Sequence, residues 1–246
     1  MNIWRERHGH IVNRVWDLRQ DKLINNIDSR KVIFVTHRWN DVEVGYQDTM
    51  ESKQAHGHAV GISEMSRKLH RIKKVLQEYT DYVWIDTICI DKSNLSELDE
   101  AIRSMYKWYA SCAAVVLDSN TTLKVWRSRG WCLQEGAAAG ILRGITQEGK
   151  LATIQQLAND QDHNLCTLDL HLCYRIGNAS EILARMDVRK TTRDEDMAYA
   201  LAGIFSIDLT LSYGEGSRSR ARLLHQLAIQ HGDLSFLSFQ ISQTTY

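Results

Sequence analysis

The amino-acid sequence predicts an α/β protein whose open, mainly parallel sheet is flanked by helices. Short apolar runs at residues 31–36, 82–90 and 113–117 have the length and composition of buried strands. Stretches with helical periodicity separate these runs, and helical crossovers join the parallel strands of such sheets. We therefore expect strands at about 32–37, 82–87 and 113–117 to be parallel and adjacent. At 246 residues, the chain is long enough to bury a large core.

The N-terminal segment, residues 1–30, contains a predicted hairpin. Between Asn13 and Ile24, apolar residues alternate around a polar Arg-Gln-Asp turn, a pattern typical of two short antiparallel strands. We expect this hairpin to lie at an edge of the sheet. The run 31–36 follows directly and is apolar on both faces, which favours a central strand.

The core, residues 31–145, continues with a predicted loop and a predicted helix. Residues 41–61 are polar and show no sustained period, so we expect a long loop, of the kind that often covers a site. Over residues 63–79, apolar residues recur at spacings of three and four, with Lys and Arg on the other side. This spacing predicts an amphipathic helix.

The rest of the core is predicted as helix, strand and helix. Ser96 has the character of an N-cap with Asp99 three residues later, so a helix is expected over 98–109. After the third strand, the small residues of 131–142 predict a helix that packs closely on the sheet. Residues 146–246 are predicted to form a mostly helical extension docked on the core. Its expected helices are 154–159, 194–205 and 217–231.

Composition and charge argue against two classes of partner. Thirty basic residues balance thirty acidic ones, so the formal net charge is zero and a nucleic-acid partner is not expected. No apolar run approaches the length of a membrane span, and the first residues lack the apolar stretch of a signal peptide. Five cysteines are an odd number, which favours reduced thiols. These features predict a cytoplasmic protein without a membrane partner.

Two rival sites are weaker in the sequence. His163, Cys166, His171 and Cys173 could ligate zinc, but their spacing is not that of a standard zinc finger, so no metal is expected. The glycine-rich residues 213–216 have the composition of a phosphate-binding loop, but they lack the Lys-Ser/Thr pair of a P-loop. A turn that leads into the next helix is the favoured interpretation of this segment.

The favoured site lies where the predicted strands end. Ligands of open parallel sheets bind beyond the carboxyl ends of the strands. The loop after the first parallel strand carries His37, Arg38 and Trp39, and the second strand leads into Asp86. The third is followed by the polar residues 118–135. These segments are therefore expected to meet at one edge of the sheet.

Several segments, at this order and spacing, resemble the HET domain of fungal incompatibility proteins. They are FVTHRW (34–39), YVWIDTICID (82–91), AIRSMYKWYASCAAVVLD (101–118) and VWRSRGWCLQE (125–135), with further similarity at 189–205 and 211–228. The resemblance covers about residues 13–236 and implies a role in self/non-self recognition and programmed cell death. Lys92 departs from the family pattern, which usually has Gln after the Cys-Ile-Asp triplet.

HET domains are in turn considered TIR-like, and this resemblance implies a TIR-like, flavodoxin-like fold and an activity. VIFVTHRWND is similar to the first TIR strand and its loop, with Arg38 in place of the loop's arginine. GWCLQE is similar to the plant TIR segment whose glutamate is catalytic in NAD-cleaving members, and Glu135 takes that position. The resemblance thus implies NAD as substrate rather than cofactor, activity as a homo-oligomer, and a receptor or NLR-type partner.

A single carboxylate suits this chemistry, because nicotinamide leaves NAD as a neutral molecule and needs no general acid. Glu135 would stabilise the positive charge that develops on the ribose. Trp131, one helical turn earlier, would line the pocket. Arg38 and Arg129 would bind the pyrophosphate, because guanidinium groups match phosphate geometry. His37, Trp39 and Asp86 complete the predicted NAD-binding residues.

Less specific interpretations of these residues stay open at this stage. Glu135 could be an ordinary glutamate in the first turn of a helix, the arginines could be solvated, and Asp86 could fix its loop. The corresponding hypothesis for the whole chain is a non-enzymatic module that associates with itself or with a receptor domain. A solvent-connected Glu135 beside Trp131 would favour the enzyme, whereas a buried salt bridge at Glu135 would favour the module.

Overall fold

A computed structural model describes residues 8–39, 42–55, 60–161 and 179–237. In this part of the chain, seven strands form one mixed sheet in the order β2-β1-β4-β3-β5-β6-β7. The strands are β1 (Ile11–Asp17), β2 (Lys22–Asp28), β3 (Val32–Thr36), β4 (Tyr82–Trp84), β5 (Ala114–Leu117), β6 (Leu142–Ile145) and β7 (Leu151–Thr153). The chain is therefore an α/β protein, as predicted.

The central strand is β3, which pairs in parallel with β4 on one side and with β5 on the other. Phe34 is opposite both Trp84 and Val115 in these pairings. All five residues of β3 are buried, as its apolar run requires. The prediction that these three strands are parallel in one sheet is confirmed, with β3 as the common neighbour. The fourth parallel strand, β6, pairs with β5.

Antiparallel strands form both edges of the sheet. β1 and β2 are a hairpin, and β1 pairs with β4 while β2 is the edge. The predicted edge hairpin is confirmed. At the other edge β7 pairs antiparallel with β6, and neither of these strands was predicted. Residues 131–142 were predicted as one helix, but Ala139 leaves the helical region with φ −55° and ψ 120°, and Leu142 begins β6.

Helices cover the sheet and are the main regular elements in the described residues of the extension. They are α1 (Tyr46–Ala55), α2 (Arg67–Leu76), α3 (Asp86–Cys89), α4 (Leu95–Ser111), α5 (Leu123–Arg127), α6 (Trp131–Ala138), α7 (Ile154–Gln161), α8 (Ala179–Asp187), α9 (Asp196–Ala202) and α10 (Arg218–Gln226), with a π-helical turn at Leu227–His231. The three helices predicted in the extension correspond to α7, α9, and α10 with its π-helical turn. In the described residues, no helix has the length and apolar character needed to cross a membrane.

Two sequence predictions in the core were wrong. Residues 41–61 were predicted as a loop, but α1 occupies Tyr46–Ala55; it has few apolar residues, so it shows no hydrophobic period. The strand predicted over 82–90 ends at Trp84, and α3 follows. A short apolar run fits a buried helical turn as well as a buried strand, and Ile88 and Cys89 are indeed buried in α3.

Helix starts differ from the prediction by a few residues. Asn94, not Ser96, caps α4: its side chain accepts hydrogen bonds from the backbone N–H groups of Ser96 and Glu97. Helix α2 begins after Ser66, whose side chain accepts from the N–H of Leu69. The helix predicted over 63–79 is therefore shorter, and a separate 3₁₀ turn at Ile62–Glu64 precedes it.

The apolar interior has two clusters. The larger lies between the sheet and its helices, where the Phe34 ring stacks on Trp84 at 4.8 Å between centroids. The second joins Leu133 of α6 and Ile102 of α4 to extension residues such as Tyr199. Helix α6, which carries Glu135, therefore contacts both clusters. Burial on both sides fixes its position relative to the sheet and the extension.

Candidate active site

A cleft of about 680 Å³ lies beyond the carboxyl ends of the parallel strands. It is built by the loops after β3, β4 and β5, by α6, and by extension residues 190–196 and Tyr213. All the site residues predicted from the sequence line this cleft: His37, Arg38, Trp39, Asp86, Arg129, Trp131 and Glu135. Sheet topology thus brings together residues that are distant along the chain, at the edge where ligands of such sheets bind.

Glu135 is held by a hydrogen-bond chain from the sheet. The hydroxyl of Thr36, the last residue of β3, donates to Glu135 Oε2. The same hydroxyl accepts a hydrogen bond from Trp126 Nε1 at 2.7 Å. Thr36 and Trp126 are buried, so this chain fixes the carboxylate at the floor of the cleft. The sequence reasoning did not assign a role to either residue.

The environment of Glu135 is partly desolvated. Burial raises the pKa of Glu135 above its ordinary value, and the Asp86 charge adds to this rise. The Thr36 hydrogen bond, His37 and Arg129 oppose the rise in pKa. Among the described residues, no basic side chain forms a salt bridge with Glu135, and Oε1 accepts no hydrogen bond. The carboxylate is therefore anchored through one oxygen.

His37 belongs to a buried polar network under the cleft. Its Nε2 lies 2.9 Å from Asp86 Oδ1, and Lys68 Nζ contacts its Nδ1. An ammonium group can only donate, so Nδ1 accepts and Nε2 carries the proton that goes to Asp86. Lys68 also donates to Glu43 Oε1 at 2.7 Å and to the carbonyl of Arg38 at 3.2 Å. This network fastens the loop after β3.

Asp86 is the centre of the charged network on this wall. Besides His37, it accepts from Trp39 Nε1 at 3.1 Å and from Lys92 Nζ at 3.0 Å. Lys92 Nζ also lies 3.8 Å from the centroid of the Trp39 ring. Burial alone would raise the pKa of Asp86, but the charge of Lys92 and the hydrogen bond from His37 lower it well below its usual range. Lys92, the departure from the family pattern, thus pairs with a carboxylate that stays ionised.

Four cations of the cleft form no salt bridge in the part of the chain that the structure describes. They are Arg38, Arg129, Lys190 and Arg193, which all line the cleft. Arg38 is exposed, and its backbone N–H donates to Thr121 Oγ1 at 2.7 Å.

The extension supplies a wall that the sequence did not predict. Lys190, Thr191, Thr192, Arg193, Asp196 and Tyr213 line the cleft together with the loop after β3. Asp196 is hydrogen-bonded to Trp131 and accepts from the Tyr213 hydroxyl at 3.0 Å. The dense polar run at 189–196 in the sequence was the one signal that could have pointed to this wall.

The two rival sites have different outcomes. His163, Cys166, His171 and Cys173 lie outside the described residues. The glycine-rich segment is a turn: the N–H groups of Gly214 and Gly216 donate to Glu195 Oε1 at 2.7 and 3.0 Å, and α10 follows. The Glu195 carboxylate therefore accepts the N–H groups that a phosphate would accept in a phosphate-binding loop.

The described cysteines are buried or half-buried free thiols, namely Cys89, Cys112 and Cys132. Burial raises the pKa of Cys89 to about 12 and that of Cys112 to about 12. These thiols stay protonated at neutral pH, which makes them poor nucleophiles. The part of the chain that the structure describes contains no group of three or more His, Cys, Asp or Glu residues placed to hold a metal ion.

A carboxylate and cations in a cleft at the carboxyl edge of an α/β sheet are typical of the class of ligand-binding or catalytic domains. Residues 33–124 match the family model of Heterokaryon incompatibility protein (HET). The chain is also similar to Vegetative incompatibility protein HET-E-1 of Podospora anserina, with 31% identity in an alignment of 229 residues that covers 82% of this chain and 16% of that protein. No solved structure gives a significant match. The two matches show that the chain contains a HET domain, and the resemblance to this family that the sequence indicated is confirmed.

Proposed function

We propose that this chain acts in heterokaryon incompatibility by cleaving NAD at the bond to nicotinamide. The incompatibility role is supported by the family match and by the similarity to HET-E-1. Because this chain spans 16% of that protein, the proposal concerns the activity of this domain. The cleavage step is supported by one observation above the others: Glu135 is fixed in an open, cationic cleft without a salt bridge in the described residues.

The strand order supports a TIR-like, flavodoxin-like fold. Numbered along the chain, the four parallel strands β3, β4, β5 and β6 lie in the order 2-1-3-4. Flavodoxin-like sheets begin with the same order, and they bind a nucleotide where the order reverses, between the first and third parallel strands. In this chain the reversal lies between β3 and β5. Thr36 ends β3, and the segment that carries Glu135 follows β5.

The proposed reaction needs one carboxylate and one water. The bond between C1′ of the ribose and the nicotinamide nitrogen breaks, and its electron pair leaves with nicotinamide. The water oxygen then bonds to C1′, one proton is released, and ADP-ribose is formed. The ionised Glu135 faces the oxocarbenium-like transition state and stabilises its charge, a contribution of several kcal/mol for preorganised groups of this kind.

The neighbouring residues divide into those that bind and those that position. Trp131 lines the pocket for the ribose, and Arg38 and Arg129 bind the pyrophosphate. Both oxygens of Asp86 and both ring nitrogens of His37 already have partners in the chain. We therefore assign these two residues to positioning the loops rather than to contact with NAD.

Clustering and partners are part of the same proposal. Activity is proposed to require a homo-oligomer, brought together in the cell by a receptor or NLR-type partner. The alternative, a non-enzymatic interaction module, leads one to expect Glu135 in a buried salt bridge. No such bridge is present in the described ranges, which favours the enzyme.

The first prediction concerns Glu135→Gln, which keeps the size of the side chain and removes its charge. NAD cleavage should fall by about two to three orders of magnitude. Purified protein, at low and high concentration, is incubated with NAD, and nicotinamide and ADP-ribose are measured. Glu78→Gln, at an exposed position in the turn after α2 and outside the cleft, is the matched control and should keep full activity. Wild-type protein that leaves NAD intact when forced to cluster would contradict the proposal.

A further inference from the structure

The wall of the cleft formed by residues 190–193 is joined to the start of the helix that carries Glu135. Lys190 forms a parallel bridge with Arg129. The N–H of Gly130 donates to the carbonyl of Lys190 at 2.9 Å, and the N–H of Lys190 donates to the carbonyl of Ser128 at 2.7 Å. Arg189 adds a hydrogen bond to the carbonyl of Arg129 at 2.9 Å. The segment is thus positioned by the backbone that leads into α6.

Gly130 makes this close approach possible. A Cβ atom at residue 130 would overlap the Cγ2 methyl group of Thr191. The backbone of Gly130 is helical, with φ −60° and ψ −54°, so alanine would fit its conformation. The glycine is therefore required by the space that residues 190–191 occupy, not by its dihedral angles.

A second connection runs through side chains. The Arg193 guanidinium lies 4.2 Å from the centroid of the Tyr213 ring. The Tyr213 hydroxyl donates to Asp196, and Asp196 is bonded to Trp131. Trp131 lies one turn before Glu135 on α6. The charge of Arg193 is therefore held at a fixed place relative to the proposed catalytic carboxylate.

The charges of this wall suit a pyrophosphate. Lys190 and Arg193 form no salt bridge among the described residues, and both line the cleft. Two further cations, Arg38 and Arg129, lie on the core side of the same cleft. A ligand with two neighbouring phosphates can neutralise cations from both sides at once.

We propose that Lys190 and Arg193, supplied by the extension, bind the pyrophosphate of NAD and complete a site that the core forms only in part. This inference rests on the proposed function for its substrate. It adds that the extension determines affinity for phosphate-bearing nucleotides. The backbone bridge between Lys190 and residues 128–130 links that affinity to the position of α6.

The test measures ADP-ribose binding by calorimetry, because ADP-ribose carries the pyrophosphate and is not consumed. Arg193→Gln and Lys190→Gln should each weaken binding by roughly tenfold, as for charge-assisted hydrogen bonds. The double variant should also show a smaller loss of affinity with added salt. Lys107→Gln removes an exposed cation on α4, outside the cleft, and should bind ADP-ribose like the wild type.

The backbone bridge between Lys190 and residues 128–130 is tested with one substitution that should disturb it and a second that should restore it. Gly130→Ala should weaken ADP-ribose binding, and adding Thr191→Ser should restore it, because serine lacks the methyl group that Cβ would overlap. Gly140→Ala is the matched control, since a Cβ there meets nothing within 4 Å. Restoration by Thr191→Ser distinguishes loss of the bridge from general unfolding.

The outcomes separate the inference from the proposed function. ADP-ribose binding that depends on Arg193, in a protein that leaves NAD intact, would support the inference and overturn the cleavage proposal. NAD cleavage by the wild type, together with unchanged ADP-ribose affinity in the Lys190/Arg193 double variant, would support the cleavage proposal and overturn the inference. A wild-type protein that does not bind ADP-ribose would overturn the inference.

Discussion

The two walls of the cleft differ in how their charges are satisfied. On the core wall, Asp86 is surrounded by His37, Trp39 and Lys92, and every one of these contacts is internal to the chain. On the extension wall, Lys190 and Arg193 form no salt bridge in the described part of the chain. A charge that is already paired holds structure, whereas an unpaired charge in a cleft is free to bind a ligand. We therefore expect substitutions on the first wall to change stability and substitutions on the second to change binding.

The largest effect on stability is expected at the centre of the core wall. Asp86→Asn would leave Lys92 and His37 facing a neutral group, and the side chain of Asp86 is only 23% exposed. Loss of one partner from such a half-buried network should lower the free energy of unfolding by about 2–4 kcal/mol. Chemical denaturation at pH 7 measures this difference. A change below about 0.5 kcal/mol, the range of ordinary surface substitutions, would contradict the assignment of Asp86 to a structural role.

The stability difference between wild type and Asp86→Asn should depend on pH in a direction that the pKa of Asp86 determines. The folded-state pKa of Asp86 is depressed, so its contribution to stability is present above its unfolded pKa, near 3.9, and is lost as pH falls through the folded value. The difference between wild type and Asp86→Asn should therefore stay constant from pH 7 to about 5 and shrink as pH is lowered below about 4. A difference that grows on acidification would mean that Asp86 is not held ionised by its neighbours.

A smaller effect, now on both stability and activity, is expected at Thr36, where the core wall meets Glu135. Thr36→Val removes the donor to Glu135 and the acceptor for Trp126. A buried indole N–H without a partner should cost about 1–3 kcal/mol. NAD cleavage should fall roughly tenfold, as for the loss of a single positioning hydrogen bond. Thr36→Ser keeps the hydroxyl and should recover most of both losses.

The pH profile separates positioning by Thr36 from a merely structural role. The Thr36 hydrogen bond lowers the pKa of Glu135, so its removal should raise that pKa further. Activity requires the ionised carboxylate and therefore rises with pH through the pKa of Glu135. The acid limb of the cleavage profile should thus move to higher pH in Thr36→Val. If activity falls but the acid limb of the cleavage profile stays at the same pH, Thr36 only supports the fold.

The same division between walls explains what the sequence could predict. The core wall follows strands whose apolar runs are visible in the sequence, so its parallel sheet and the residues at strand ends were placed correctly. Local patterns could not separate the strand 82–84 from the helical turn of Asp86–Cys89, since both are short and apolar. Helix α1 has too few apolar residues to show a period.

The extension wall was missed for a different reason. Lys190 and Arg193 reach the cleft through a backbone bridge to residues 128–130, and no periodicity encodes a contact between segments so far apart in the chain. The hydrogen bond from Thr36 to Glu135 is hidden in the same way, because it joins β3 to α6. Long-range polar contacts are set by the fold, and the sequence shows only the residues that take part.

The smallest effect on stability is expected on the extension wall, and it completes the comparison. Lys190 is exposed and forms no salt bridge in the described residues, so Lys190→Gln should change the free energy of unfolding by less than about 0.5 kcal/mol. Its backbone bridge to residues 128–130 does not involve the side chain and should persist. Denaturation of wild type, Lys190→Gln and Asp86→Asn under one set of conditions compares the two walls directly. A loss of 2 kcal/mol or more in Lys190→Gln, about that expected for a broken buried contact, would show that the charge of Lys190 stabilises the fold. The two walls would then not differ in the way proposed, with the core wall serving stability and the extension wall serving binding.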